Sequence, residues 1–551
     1  MGAAVAMDGY GPGAQVPLQG VGAQTVAMNA LASAAYRDVP VEEILKADNE
    51  WHKSEVKPGR MSRMFRPNLG EAFSRAVQVR MLGGARAPLI QSFGTEPQPI
   101  VEHCLAATNI RKRRDTLLTV ITLVFGVLFL PGTLVWLLVF YLRRGLAGRT
   151  GTAGAMGTAL LAGVGILIVL FLWKVPFTGL GGLYLRLMFL APVVGWFLAK
   201  RVCEATARDL KDRWAGLLAG GGVAAKIPEA VPQDPNETAA EELRQSLEKL
   251  TAEQRSNMVF YAGPKGILGM GTRWGSWHLA EELVPHEGKE IHAFRSWDVI
   301  RPIHDQLKLL ERGTLKTGFP TPSVNHWIVS PVGEGAAGVV RPEGDTIVAY
   351  QVKPHEIQRI CNESQFGKGS RHYLGVQFVL WDGQLVLTMM VTVTALLHTL
   401  RIEVTGHALG PVHSLFTTPP APKTRTVSKT VRFWETKEIS LPLVETDEVV
   451  RLAVRAPLTW FPAVLDFLGG RLVLPEPFGL RHAWAEQPWR HRFMADDAIR
   501  AATPVMRAVH AATIKFLEEH EVNTERFTNR SMVLSGAVQD AAPKKADTYD
   551  A

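Results

Sequence analysis

Hydrophobic and polar positions divide the chain into a strongly apolar block at 116–199 and two flanking regions with the mixed pattern of water-soluble protein. Inside the block, 116–142 runs for 27 residues and 150–173 for 24 without a charge, and 175–199 is interrupted once, by Arg186. About 20 apolar residues cross a bilayer as a helix, so each run is long enough. The first carries Pro131 and Gly132 near its middle. Proline removes a helical donor and clashes with the preceding turn, while glycine accepts turn dihedrals. The arms 116–130 and 133–142 would measure about 22 and 15 Å as helices, and neither covers a hydrocarbon core of roughly 30 Å.

Charge placement separates a re-entrant turn at Pro131–Gly132 from a single kinked span. Lys and Arg in the flanks mark the cytoplasmic side. Here they are Arg111, Lys112, Arg113 and Arg114, then Arg143, Arg144 and Arg149, then Lys174, and finally Lys200, Arg201, Arg208, Lys211 and Arg213. Three full crossings with the N-terminus inside place 5 of these inside and 8 outside, and the opposite orientation reverses that. A re-entrant first run followed by two spans places 12 inside and one outside. The pattern therefore predicts a wedge at 116–142, spans at 150–173 and 175–199, and both flanking regions in the cytoplasm. Arg111–Arg114, Arg143, Arg144, Lys200 and Arg201 become the expected topology and lipid-headgroup residues. Gly151, Ala155, Ala159 and Gly163 put small residues on one face of the second span, where a neighbouring helix or a second copy can approach.

The polar regions read differently. Residues 1–37, rich in Gly, Ala, Pro and Gln, are expected to be disordered, as is the tail 528–551. A helical juxtamembrane region is predicted over 38–114, its last helix entering the membrane. A juxtamembrane helix and Pro-rich linker fill 201–237. From 238 to 527, a polar helix precedes apolar runs bounded by turn residues, among them "MVFYA", "NHWIVS", "YLGVQFVLW", "QLVLTMMVTV" and "LRIEV". Asp382–Gly383 between two of these runs signals a tight hairpin. Thr388, Thr392 and Thr394 alternate with Leu387, Met389, Val391 and Val393, which predicts a half-buried strand. A late helix is expected over 496–520. The fold class is membrane-anchored α+β, a helical transmembrane block followed by a cytoplasmic domain with a mainly antiparallel sheet.

Composition adds constraints. The net charge of +8 is concentrated beside the apolar block, which suits membrane orientation rather than nucleic-acid binding. Three widely spaced cysteines imply no disulfide framework and fit a reducing compartment. Alanine-rich, arginine-over-lysine usage points to a bacterial source, hence an inner membrane.

Candidate chemistry is sparse. "YAGPKGILGMGTRWG" fails both the Walker and the dinucleotide fingerprints, so its glycines read as a turn. Lys368, Ser370, Arg371 and His372 in "QFGKGSRHYLG" make a candidate anion-binding loop. His398, His407 and His413 lack metal-ligand spacing with Glu403, so no metal and no cofactor are expected. "LTWFPAVLDFLGG" and "HAWAEQPWRHRF" are aromatic stretches suited to core packing or to contact with a membrane or partner. The reading is a membrane-anchored docking or scaffold protein for a cytoplasmic partner or assembly, not an enzyme. The alternatives are a tethered hydrolase acting on a phosphorylated or lipid substrate and, behind it, a transporter component.

Overall fold

The computed structural model describes residues 25–49, 53–83, 89–147, 179–220, 238–263, 266–311, 318–332, 350–367, 369–421, 424–428, 436–440 and 442–528, with isolated positions at 159–174 and at 231. Helices α1 (Val26–Ser33), α2 (Leu69–Leu82), α3 (Pro97–Ile121), α4 (Leu130–Ala147), α5 (Leu180–Leu218) and α6 (Thr238–Gln254) precede the main sheet. Then come α7 (Ser296–Glu311), α8 (Pro354–Glu363), α9 (Thr446–Arg455), α10 (Pro462–Gly469) and α11 (Arg492–Glu519).

Six strands form that sheet: β2 (Met258–Tyr261), β3 (Thr272–Glu282), β4 (Ser323–Pro331), β5 (Arg371–Leu380), β6 (Leu385–Leu396) and β7 (Thr399–Leu409). Their order is β2-β4-β5-β6-β7-β3. Only β2 with β4 is parallel; the other pairs are antiparallel. A mixed α+β architecture with an antiparallel-dominated sheet is therefore present. Two ribbons complete it: β1 (Glu55–Pro58) pairs with β10 (Gly470–Val473), and β8 (Thr424–Ser428) with β9 (Thr436–Ser440).

One sheet face carries Leu374, Val376 and Phe378 of β5 beside Leu387, Met389 and Val391 of β6, and α7 and α11 cover it. Near the β5–β6 turn the opposite face is covered too, whereas from Val391 on the expected half-buried alternation holds, with Val391 and Val393 buried and Thr392 and Thr394 partly exposed. Thr388 is 1% exposed and receives a hydrogen bond from Gln377, while Met390 packs with Trp327 and with Phe93 from the N-terminal region. The glycine-rich loop lies here for a steric reason. Gly271 has φ +78°, and a Cβ there would meet Ala408 O of β7.

Disorder through residue 37 does not hold. Val26–Ser33 is a helix and its residues from Ala27 onward are buried, because a small-residue face fits between α3 and α5. Residues 1–24, the linker at 221–230 and 232–237, and the tail from 529 lie outside the described residues.

The regions 38–114 and 238–527 are not separate units either. Phe73 of α2 and Ile100 of α3 share one core with Leu247 of α6, Phe416, Phe478 and Trp484. Arg481, fully buried, donates from Nη2 to Gly383 O at 3.1 Å and to Gln384 O at 3.1 Å, and also to Gly410 O. It ties the β5–β6 turn to that shared core.

α5 is long and apolar enough to cross a membrane, and a bent pair consisting of α3 with its π-helical extension to Val127 and α4 could count as a second. Their axes differ by 102°. The break falls at Leu128–Phe129, before Pro131. Pro131 sits in the first turn of α4, where its missing N–H costs nothing. This corrects Pro131–Gly132 as the turn itself. Gly132 instead backs onto α5, where a Cβ would collide with Met188 O. Met188 O is the carbonyl that Pro192, four residues on, cannot satisfy.

Candidate functional site

A cluster of buried apolar and charged side chains lies where α3 and α5 run past α9. α9 lies across them there. Val449, Leu452 and the following Ala456 bury against Leu118 of α3 and Ala199 and Cys203 of α5. Above this contact, Phe125, Trp136, Phe140 and Trp196 with Val450 and Ala453 line an apolar cleft of about 350 Å³. Carbonyls freed at the helix break find side-chain donors nearby. Tyr184 Oη donates to Leu128 O at 3.1 Å, and Thr133 Oγ1 donates to Gly126 O at 2.8 Å. Trp136 Nε1 donates to Phe189 O at 2.9 Å.

Below α9 lies a buried ionic network. Arg455 donates to Glu71 of α2 with both terminal nitrogens, one at 2.5 Å. Burial alone would raise the Glu71 carboxyl, but Arg455, with Arg111 and Arg114 nearby, holds it down at about 2. Arg111 donates to Ala35 O at 2.9 Å and to Asp38 at 3.3 Å; Arg114 donates to Asp115 at 2.8 Å. Gly70 makes room, since a Cβ there would meet Arg111 Nη2 at 2.6 Å.

The basic cluster expected at the lipid headgroups is thus split by helical periodicity. Lys112 and Arg113 are exposed, whereas Arg111 and Arg114 are buried and paired. Lys200 lies 3.9 Å from Glu204 and near the Trp196 ring, and exposed Arg201 stacks on Phe197. Arg143 and Arg144 fall on the last turns of α4. Of the expected packing stripe, Gly151 and Ala155 lie outside the described residues, Ala159 is exposed, and a Cβ on Gly163 would meet nothing within 4 Å among them. Among the described residues of the apolar block, Gly132 on Met188 and Gly195 on Phe125 make close helix approaches.

Strand alternation also takes the candidate anion loop apart. Lys368 lies outside the described residues. Ser370 is 2.7 Å from Ser330 Oγ, and Arg371 is exposed, donating to Gly367 O. His372 points to the other face of β5, is buried, and meets His326 at 2.9 Å between Trp297 and His304. Burial pushes the His372 ring down to about 3 and that of His326 to about 4, so both are neutral at ordinary pH. Ser370, Arg371 and His372, the three of the four that are described, therefore do not converge on one site. Of the other histidines considered, His398 is exposed at a turn, His407 is buried in the sheet and His413 accepts from Leu415 N. No group of three or more His, Cys, Asp or Glu that could hold a metal occurs among the described residues.

The two aromatic stretches part company. In the second, Trp484 and Trp489 are buried. In the first, Trp460, Phe461, Val464 and Phe467 remain exposed around α10. The sequence could not announce the Glu71–Arg455 pair, since 384 residues separate its members.

Against known proteins, residues 276–542 match the family described as the AbeC-like domain. The match starts within β3 and contains α9, α10 and α11, but not α2, α3 or α5, on which α9 rests. No curated protein and no solved structure matches the chain.

Proposed function

We propose that this protein is a membrane-held docking platform, a non-catalytic α+β body fixed at the cytoplasmic face of a bacterial inner membrane for a protein partner or assembly. The observation that carries this reading is the continuity of α3 and α5 from apolar stretches into the core. Leu118 and Ala199 pack with α9, and Ile100 and Leu210 on the same two helices pack with Phe416 and Trp484. A body joined in this way keeps one orientation to the bilayer, which suits presentation of a surface better than a module on a loose tether. The sheet end opposite the Trp381–Gly383 turn is the surface to present, with Leu397 97% exposed in the β6–β7 turn and exposed Phe366 preceding β5. The 102° break supports a re-entrant first run: α4 turns back, and its Phe140 lines the same cleft as Val450 of α9.

Single-cysteine labelling in intact cells tests the arrangement. Thiols at 145 and 300 are expected inside and one at 180 outside; position 145 outside would rule out the re-entrant run, and 300 outside the cytoplasmic platform. Photo-crosslinking residues at 366 and 397 of the full chain are then expected to capture one common partner. Failure at both positions in native membranes counts against docking at this end.

A further inference from the structure

We propose that α10 and the segment preceding it form a second, monotopic membrane contact that inserts into an anionic lipid surface beside the helical anchor; this rests on the membrane reading above. Trp460 is 63%, Phe461 62% and Phe467 54% exposed, and Val464 and Met61 join them. An apolar patch of this kind, built on one short helical corner, marks an interaction surface rather than scattered exposure. α10 is oriented firmly. Leu465 and Gly469 bury beneath it, and Asp466 pairs with Arg75 of α2 at 3.0 Å, which leaves the aromatic side facing outward.

Two observations identify the occupant as lipid. The first is continuity. The segment 456–460 packs directly on α3, with Ala456 against Leu118, where the exposed face of α3 changes from Lys112 and Arg113 to Leu117 and Val120. The patch therefore stands at the level where α3 passes from polar to apolar surroundings. The second is charge. Arg60 stacks over Phe467 at 4.7 Å, and exposed Lys57, whose Nζ lies 3.8 Å from Glu55, is the register partner of exposed Arg471 across β1 and β10. Arg471 has no acidic partner among the described residues. Aromatic side chains sitting at headgroup depth with a basic rim are the chemistry of interfacial binding to anionic lipid.

The test uses the full chain in vesicles of phosphatidylglycerol and phosphatidylcholine. An environment-sensitive fluorophore is placed at Val464→Cys, with Leu187→Cys on α5 as a membrane control and Phe366→Cys as an aqueous control; the described native thiols are buried. The probe at 464 is expected to shift to the blue, to be quenched by lipids labelled near the headgroup, and to lose access to iodide, while 366 stays accessible. Lys57→Gln with Arg60→Gln is expected to move the 464 probe toward water about tenfold on anionic vesicles and little on neutral ones. If 187 is lipid-quenched and 464 stays open to iodide, this inference is overturned and the anchor stands. If 187 is also unquenched, both fall.

Discussion

Glu71 and Arg455 show how two side chains far apart in sequence become dependent on each other. Breaking a buried pair strands a charge, whereas replacing both members with apolar groups is often close to neutral. Arg455→Met alone is expected to cost about 3–5 kcal/mol, and the double change Glu71→Met with Arg455→Met much less, as read from denaturant midpoints. The pair also predicts an acid dependence. The folded Glu71 carboxyl is held at about 2, below its ordinary 4.5, so its contribution is complete above pH 4.5 and disappears as pH falls toward 2. Glu71→Gln is expected to remove that part of the acid-unfolding curve. Gly132 and Pro131 make a second contrast. Pro131→Ala is expected to change little, because α4 begins there without needing the N–H. Gly132→Val should drive a side chain into Met188 O and cost about 1–3 kcal/mol or more. Disulfide formation between cysteines placed at 136 and 189 would report whether α4 still lies on α5.

Among the elements, α7 meets the sheet through the neutral pair His326 and His372, stacked between Trp297 and His304. Both rings are depressed from 6.5, to about 4 and about 3. In the unfolded chain they take up protons as pH falls through 6.5, and in the folded chain they do not. Stability should therefore fall between pH 6.5 and about 4, by about 1 kcal/mol per pH unit for each ring. His372→Gln is expected to flatten that slope in thermal melts recorded across the interval. The β5–β6 hairpin is held differently: Trp381, Asp382 and Gly383 all have positive φ. Arg481 clamps the turn, and Trp381 Nε1 donates to Asp497 at 3.0 Å.

For the whole molecule, the shared core makes the α+β body dependent on the N-terminal helices. A fragment of 238–527 would expose Leu247, Leu250, Phe416 and Trp484, which the full chain buries against α2 and α3. It is expected to bind a hydrophobic dye strongly and to unfold without a sharp transition, while the full chain in detergent does neither. The AbeC-like match, ending short of those helices on its N-terminal side, describes a stretch that in this chain needs neighbours to close its surface.

The α+β class, the Asp382–Gly383 hairpin and the uncharged runs were legible in the sequence, because each depends on local period or local turn chemistry. The helix break was legible only as a break: Pro131 announced a helix start, and Tyr184, Thr133 and Met188 decided where the chain bends. Likewise "RKRR" signals four positive charges, but their surroundings come from packing. The 3.6-residue period turns Arg111 and Arg114 into the body and leaves Lys112 and Arg113 facing out. Neighbours in sequence were split by alternation at Arg371 and His372, and distant residues were joined at Glu71 and Arg455. Periodicity along one element specifies its faces. Only tertiary packing decides what each face meets, since burial and charge pairing depend on residues hundreds of positions away.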